Sequence, residues 1–117
     1  MTSRQPPRRA RIISRPTLAE FKADSPDAAD ALDGWEDTIT SLSFSSFGEL
    51  QRQIASVDYV NGTFLVFNIL GNRYRLICTI YWPHPALYLK HFLTHKDYDA
   101  WTAEQRKAKA RNRGNRP

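Results

Sequence analysis

At Tyr59 the spacing of apolar residues changes from one that fits helices to one that fits strands, and that change sets the layout of the fold. Upstream, Ala28, Leu32, Trp35, Ile39 and Leu42 recur every three or four residues. They form one apolar stripe of a helix opened by Pro26, with Asp27, Asp30, Asp33, Glu36 and Asp37 on its wet face. Before it, Arg11-Ile12-Ile13-Ser14 reads as a short strand, and Thr17-Leu18-Ala19-Glu20 as the capping box of a short helix ending near Asp24. After it, residues 43–46 are a loop, and Ser46 caps a second short helix through Ile54 with Phe47 and Leu50 inward.

Downstream of Tyr59, Val60 and the runs 64–69, 73–82 and 87–93 are β-branched and aromatic, separated by Asn61-Gly62, Gly71-Asn72 and Pro83-His84-Pro85. This predicts a meander of antiparallel strands. Thr94-His95-Lys96-Asp97 opens a last, short helix that fades into a tail from Lys107. Helices followed by strands indicate an α+β fold with the helices on one sheet face. Alternation puts Arg73, Arg75 and Ile77 on one side and Tyr74, Leu76 and Cys78 on the other. The apolar side is expected to pack on the helices, leaving the opposite face open for a ligand.

The 117 residues suit one domain, and 41% apolar content with 12% aromatics is enough to build a core. We expect a flexible basic arm at 1–10, a folded domain at 11–101 and a basic tail at 102–117. Charge is unevenly distributed. Arg4, Arg8, Arg9, Arg11 and Arg15 precede any acid, and residues 102–117 carry six bases against Glu104. Between them, residues 17–101 hold six bases against eleven acids, seven of which lie between Glu20 and Asp37. The later segment 50–96 has Arg52, Arg73, Arg75, Lys90 and Lys96 against Asp58 alone. Basic character in the tails and the C-terminal half points to a polyanion such as RNA, although solvated charge would also account for the tails.

One cysteine, Cys78, excludes an internal disulfide and reads as a buried strand residue. No apolar stretch follows the N-terminal arginines and no run approaches the ~18 residues of a membrane span, so a cytoplasmic protein with no membrane partner is expected. His84, His91, His95 and Cys78 have no compact metal-ligand spacing, and no phosphate-cradling Gly-rich loop, GxSxG elbow or cysteine pair is present. No metal or cofactor is expected.

Two segments resemble the signature of the HigB family of toxins, within the RelE-like group of RNA-cleaving toxins. They are Phe67-Asn68-Ile69-Leu70-Gly71-Asn72-Arg73-Tyr74-Arg75-Leu76-Ile77 and Thr94-His95-Lys96-Asp97-Tyr98-Asp99. The Ile-Ile-Ser strand, the Trp35 helix and the second short helix fit the same pattern, and the similarity spans about residues 11–101. The resemblance implies a RelE-like α+β fold and cleavage of mRNA, usually on the translating ribosome. It also implies inhibition by a cognate helix-turn-helix antitoxin, HigA-like, through which alone any DNA operator would be contacted. The alternative is a non-catalytic RNA- or ribosome-binding module, an inactive relic of such a toxin.

Metal-free RNA cleavage needs a base for the 2′-hydroxyl proton, cations for the charge that builds on phosphate, and an acid for the leaving oxygen. His95 lies in the motif and is the candidate acid or base, since imidazole titrates near neutrality; its plainer role is to cap or brace the last helix. Arg75, charged in mid-strand, can fork onto a phosphate, or can serve a structural salt bridge to the long helix. Tyr98, three residues after His95, is the third candidate catalytic residue: it can stack on a base, donate its hydroxyl, or pack under the helix with Trp101. Arg73, Lys90 and Lys96 extend a possible phosphate track or are solvated charges, and Asn68 and Asn72 flank the tight turn, where turn chemistry also explains them.

Overall fold

The computed structural model describes residues 8–114. The elements are β1 (Arg8–Arg9), β2 (Arg11–Ile12), α1 (Arg15–Asp24), a 3-10 turn (Pro26–Ala28), α2 (Ala29–Ser41), β3 (Ser43–Phe44) and α3 (Phe47–Gln53). They continue with β4 (Asp58–Val60), β5 (Phe64–Ile69), β6 (Tyr74–Tyr81), β7 (Ala86–Thr94) and α4 (His95–Gly114). The five-stranded sheet has the order β2-β7-β6-β5-β4, and β1 and β3 form a separate two-stranded ladder. β4 to β7 are the expected antiparallel meander. β2 joins its edge parallel to β7, with Arg11 beside Ala86 and Ile12 beside Leu87, so the sheet is mixed.

Local chemistry explains most boundaries. The α2 stripe is as expected: Ala28, Leu32, Trp35 and Ile39 are buried, and Trp35 meets Phe67 of β5 edge-on at 5.4 Å. Ser46 caps α3 by accepting the Glu49 N–H at 3.2 Å, and Leu50 is buried. The meander turns take left-handed residues, Asn61 and Gly62 in one, Leu70 and Gly71 in the other. The core forms between the helices and one sheet face, where Leu65, Phe67, Leu76, Cys78, Leu87 and Leu89 join the stripe.

Several details differ from expectation, among them residues 43–44, expected in a loop, which form β3 and pair with β1. α1 starts at Arg15 with Pro16 in its first turn, and the Thr17/Glu20 box is not used. Ser14 gives no side-chain cap; its Oγ accepts the Leu89 N–H at 3.2 Å, tying the chain to β7. Of the expected N-terminal arm, residues 1–7 lie outside the described residues, but Arg8–Arg9 form a strand on β3 and Ala10 is buried. At the other end α4 is not short: it passes the expected fade at Lys107 and runs to Gly114. From His95 to Arg113 it has neither glycine nor proline, and its alanines, lysines, arginines and glutamines propagate a helix well. The rest of the expected tail, 115–117, lies outside the described residues.

The largest difference concerns the second sheet face. It is not open where the charges lie, because α4 folds back across it. Trp101 packs edge-on against Phe64 at 5.1 Å and lies 6.2 Å from the His91 ring, and Asn61 bonds the carbonyl of Gln105 at 3.2 Å. Beneath the helix Val66 and Ile77, paired across β5 and β6, are buried.

Candidate functional site

The turn between β5 and β6 and the start of α4 come together. The His95 N–H donates to the Arg73 carbonyl at 3.1 Å, and the strand register places Tyr74 beside Thr94 and Arg75 beside Leu93. Sixteen residues of chain separate the two sequence motifs, and the β6–β7 ladder closes that distance to one backbone bond.

His95 is the first residue of α4, with its side chain 56% exposed. Its Nδ1 lies 3.5 Å from Asp99 Oδ2, an i,i+4 pair that becomes ionic only on protonation. The cap is supplied by Thr94, whose Oγ1 accepts the Asp97 N–H at 3.2 Å. The His95 ring is thus not consumed in capping.

Arg75 is half-buried on the outward face, the side away from the core. Its Nη1 donates to the carbonyls of Asn72 at 3.0 Å and Tyr74 at 3.1 Å, and its Cζ lies 5.5 Å from the centre of the Tyr98 ring. No carboxylate among the described residues pairs with it. The salt bridge to the long helix's start belongs to Arg73, 3.6 Å from Asp27. Tyr98 in turn stacks on Trp101 at 5.9 Å, so packing and an outward ring edge coexist in one side chain.

Asn72 contributes its carbonyl to Arg75, and Asn68 faces Arg75 across the ladder. Asn68 also lines a separate cleft of about 230 Å³ between α2 and β5, with Gly34, Trp35 and Leu70. Lys96 is exposed beside His95. Lys90 is exposed but stands apart: it is the unpaired residue of a β-bulge, where the register shifts between Ile77 and Cys78. It lies three positions before Leu93, the neighbour of Arg75. The structure therefore gathers Arg73, Arg75, Asn72, His95, Lys96 and Tyr98 at one end of the sheet, and leaves Lys90 further along it. The histidines and Cys78 are not brought together, since Cys78 points into the core and His91 toward α4.

Among the groups with shifted pKa values, Tyr74 lies beside this cluster, Lys22 lies between α1 and α2, and Cys78 lies in the core. Tyr74 is raised because its hydroxyl donates to both carboxylate oxygens of Asp27, each at 3.0 Å, and the negative charge opposes ionisation. Lys22 is raised by its bond to Asp33 at 2.6 Å, and the Cys78 thiol is pushed up by burial.

Trp101 packs with Tyr98 as expected, but sequence reasoning missed Asp99 beside His95, His91, and the sheet surface that Trp101 covers. Asp99 stands four residues from His95, the helical spacing that lets the two meet. His91 and Trp101 join through α4's path over the sheet, for which the signal was apolar residues on both faces of β5 and β6: Phe64, Val66 and Ile77 on one, Leu65, Phe67 and Leu76 on the other.

A mixed sheet with helices on one face and a fourth helix across the other is consistent with the RelE-like fold that the resemblance implies. A profile of the HigB toxin, the RelE-like toxic component of a toxin-antitoxin system, matches residues 28–101. This chain belongs to the HigB toxin family. It is 26% identical over 98 residues to the mRNA interferase toxin HigB of Escherichia coli strain K12, covering 81% of this chain and 93% of that one. The mRNA interferase HigB of Escherichia coli O157:H7 and that of Shigella flexneri match with the same identity and coverage.

Proposed function

We propose that the chain is an endoribonuclease, an mRNA interferase that cuts messages on the translating ribosome and is held inactive by a cognate HigA-like helix-turn-helix antitoxin. The observation that carries this reading is the meeting of Arg75, Tyr98 and His95 at one end of the sheet, in a chain of the toxin family.

The chemistry runs without metal. A base removes the 2′-hydroxyl proton, the 2′-oxygen bonds to phosphorus, and the bond to the 5′-oxygen breaks as that oxygen takes a proton, leaving a 2′,3′-cyclic phosphate and a 5′-hydroxyl. His95 serves one of the two proton transfers, with Asp99 Oδ2, 3.5 Å from its Nδ1, orienting the ring. Arg75 uses Nη1 to brace itself on two carbonyls and turns its remaining donors to the phosphate, where charge grows in the transition state. Tyr98 holds Arg75 from above and offers a ring edge or hydroxyl to the nucleotide. Arg73, Lys96, Lys90, Asn68 and Asn72 supply weaker contacts along the strand. The antitoxin covers part of this basic face with acidic or apolar segments.

The test is induced expression of the wild type, His95→Ala and Arg75→Ala in bacteria, with growth followed and mRNA 5′ ends mapped. We expect arrest with new ends inside coding regions for the wild type, and loss of both in folded variants. Folded variants of both that remain toxic would overturn the site; a folded wild type that leaves growth and messages intact would favour a binding module that does not cut.

A further inference from the structure

α4 covers only part of the outward sheet face. Its side chains meet Arg75, His91, Phe64 and Asn61, a path that passes the His91 end of β7 and leads over β6 and β5 toward the β4–β5 turn. The other side of that face, formed by β2, the start of β7 and the end of β6, lies off this path. Ile12, Leu87 and Leu89 point into the core, so alternation turns Arg11, Ile13 and Tyr88 outward. The Ile13 N–H bonds the Leu87 carbonyl at 2.9 Å, which extends the parallel ladder and sets Ile13 beside Tyr88. On β6, Leu76 and Cys78 point inward and Tyr81 outward, where its ring meets Tyr88 edge-on at 5.3 Å.

This strip is unusual in two ways. It exposes apolar surface that the core does not need: Tyr81 is 65% exposed and Ile13 41%. It is also cationic without compensation, with exposed Arg11 at one side and Lys90 on its bulge at the other, and neither β2, β6 nor β7 contains an aspartate or glutamate. An exposed aromatic ring backed by a half-buried one, between cations on an acid-free surface, suits single-stranded nucleic acid, whose bases stack and whose phosphates need positive charge. Continuity supports the same occupant. From Leu93, beside Arg75, the strand runs past His91, whose ring lies 6.2 Å from Trp101 of α4, through Lys90 to Tyr88 and Ala86, about 23 Å at ~3.3 Å per residue, so one extended strand of RNA at the cutting site can skirt the edge of α4 and reach the strip.

We propose that this uncovered strip is a second RNA subsite, in which an unpaired base of the message stacks on Tyr81 against Tyr88 and the adjoining phosphates lie on Arg11 and Lys90. The proposal rests on the RNA-cleaving reading above and adds the direction in which the substrate leaves the cutting site.

The test is fluorescence anisotropy of the full chain with a fluorescein-labelled single-stranded 2′-O-methyl oligoribonucleotide, which cannot be cut because its 2′-oxygens are blocked. Tyr81→Ala should weaken binding about five- to a hundredfold while Tyr81→Phe keeps it, since the ring face and not the hydroxyl does the stacking. Tyr81→Ala should leave the salt dependence of binding unchanged, whereas Lys90→Ala should reduce its slope by about 0.7. Lys90→Glu, at an exposed position that does not endanger folding, should weaken binding as well. Unchanged affinity in folded Tyr81→Ala or Lys90→Glu overturns the subsite and leaves the cleavage reading intact. A folded wild type that neither binds the oligonucleotide nor cuts messages overturns both. If Tyr81→Ala instead loses co-purification with the antitoxin while RNA affinity holds, the strip belongs to a protein partner and the proposal fails.

Discussion

Arg75 keeps a guanidinium in mid-strand because its surroundings replace what partial burial removes. Two carbonyls take its Nη1, an aromatic ring lies over its Cζ, and Nε and Nη2 have no partner among the described residues. Lysine has three donors on one atom and no plane, so it cannot brace on the carbonyls and fork onto a phosphate together. Arg75→Lys should therefore cut messages at least tenfold more slowly while its urea midpoint stays near wild type; equal rates would show that a point charge suffices. Cys78 is predictable in the opposite sense. Its thiol is buried and raised, so a thiol reagent at pH 8 should label the native chain negligibly and label it fully in denaturant. The sign of the linkage follows from the same shift: the folded thiol holds its proton more tightly than the unfolded one. Its contribution to stability is complete below the unfolded pKa of about 8.5 and declines as pH rises above it, which urea midpoints between pH 8 and pH 10 would read. At this scale the sequence was informative about identity and silent about partners. Arg75 as an unusual mid-strand charge was legible, but its carbonyl braces, and the diversion of Asp27 to Arg73 and Tyr74, depend on how the 3-10 turn meets the β5–β6 turn.

α4 is the element on which the site depends. Its first residue carries His95, its second turn places Tyr98 over Arg75, and Trp101 fastens it to the sheet through Phe64 and His91. Removing a fully buried tryptophan costs ~3–5 kcal/mol, and Trp101 is half-buried, so Trp101→Ala should destabilise the chain by about 2 kcal/mol. With a urea slope of ~1–3 kcal/mol/M, that lowers the midpoint by about 1 M. Cleavage should fall with it, because Tyr98 loses its stacking partner, while Thr94 still caps the helix start. A variant with unchanged midpoint would mean that α4 does not pack as described. The helix itself was legible from the Thr94 cap, and the two layers of helix and sheet from the change of period at Tyr59. Its length was also legible, in the run from His95 to Arg113 without glycine or proline, a signal that the expected short helix left unused; its direction was not, because a helix pattern gives no hint of which surface it will cross. The apolar side chains on both faces of β5 did carry that information, since a strand facing water on one side alternates more cleanly.

Across the whole molecule, charge and chemistry are separated by the sheet. The segment from Glu20 to Asp37 holds seven acids against Lys22, and it forms α1, the 3-10 turn and α2 on the core side. Arg75, His95, Lys96 and Lys90 lie on or beside the outward face, and Arg73 in the turn at its end is the cation that reaches across to Asp27. On α2, Asp33 and Glu36 are engaged by Lys22 and Arg15 of α1, whereas Asp30 and Asp37 are exposed. A sheet and the helix packed on it are ~10 Å apart, and exposed charges are screened over ~8 Å at physiological salt. The exposed acids of α2 should therefore contribute little field at the site. Asp30→Asn with Asp37→Asn raises the net charge by two, yet should change RNA affinity by less than about twofold at physiological salt. Lys96→Ala with Lys90→Ala lowers the net charge by two and should weaken binding uniformly across sequences, with a slope against log salt shallower by ~0.7 for each phosphate that is no longer neutralised. Anisotropy titrations across a salt series compare the two pairs directly. If affinity followed net charge alone, the asparagine pair would bind much more tightly and the alanine pair's weakening would mirror it; the separated arrangement requires that only the outward-face pair respond.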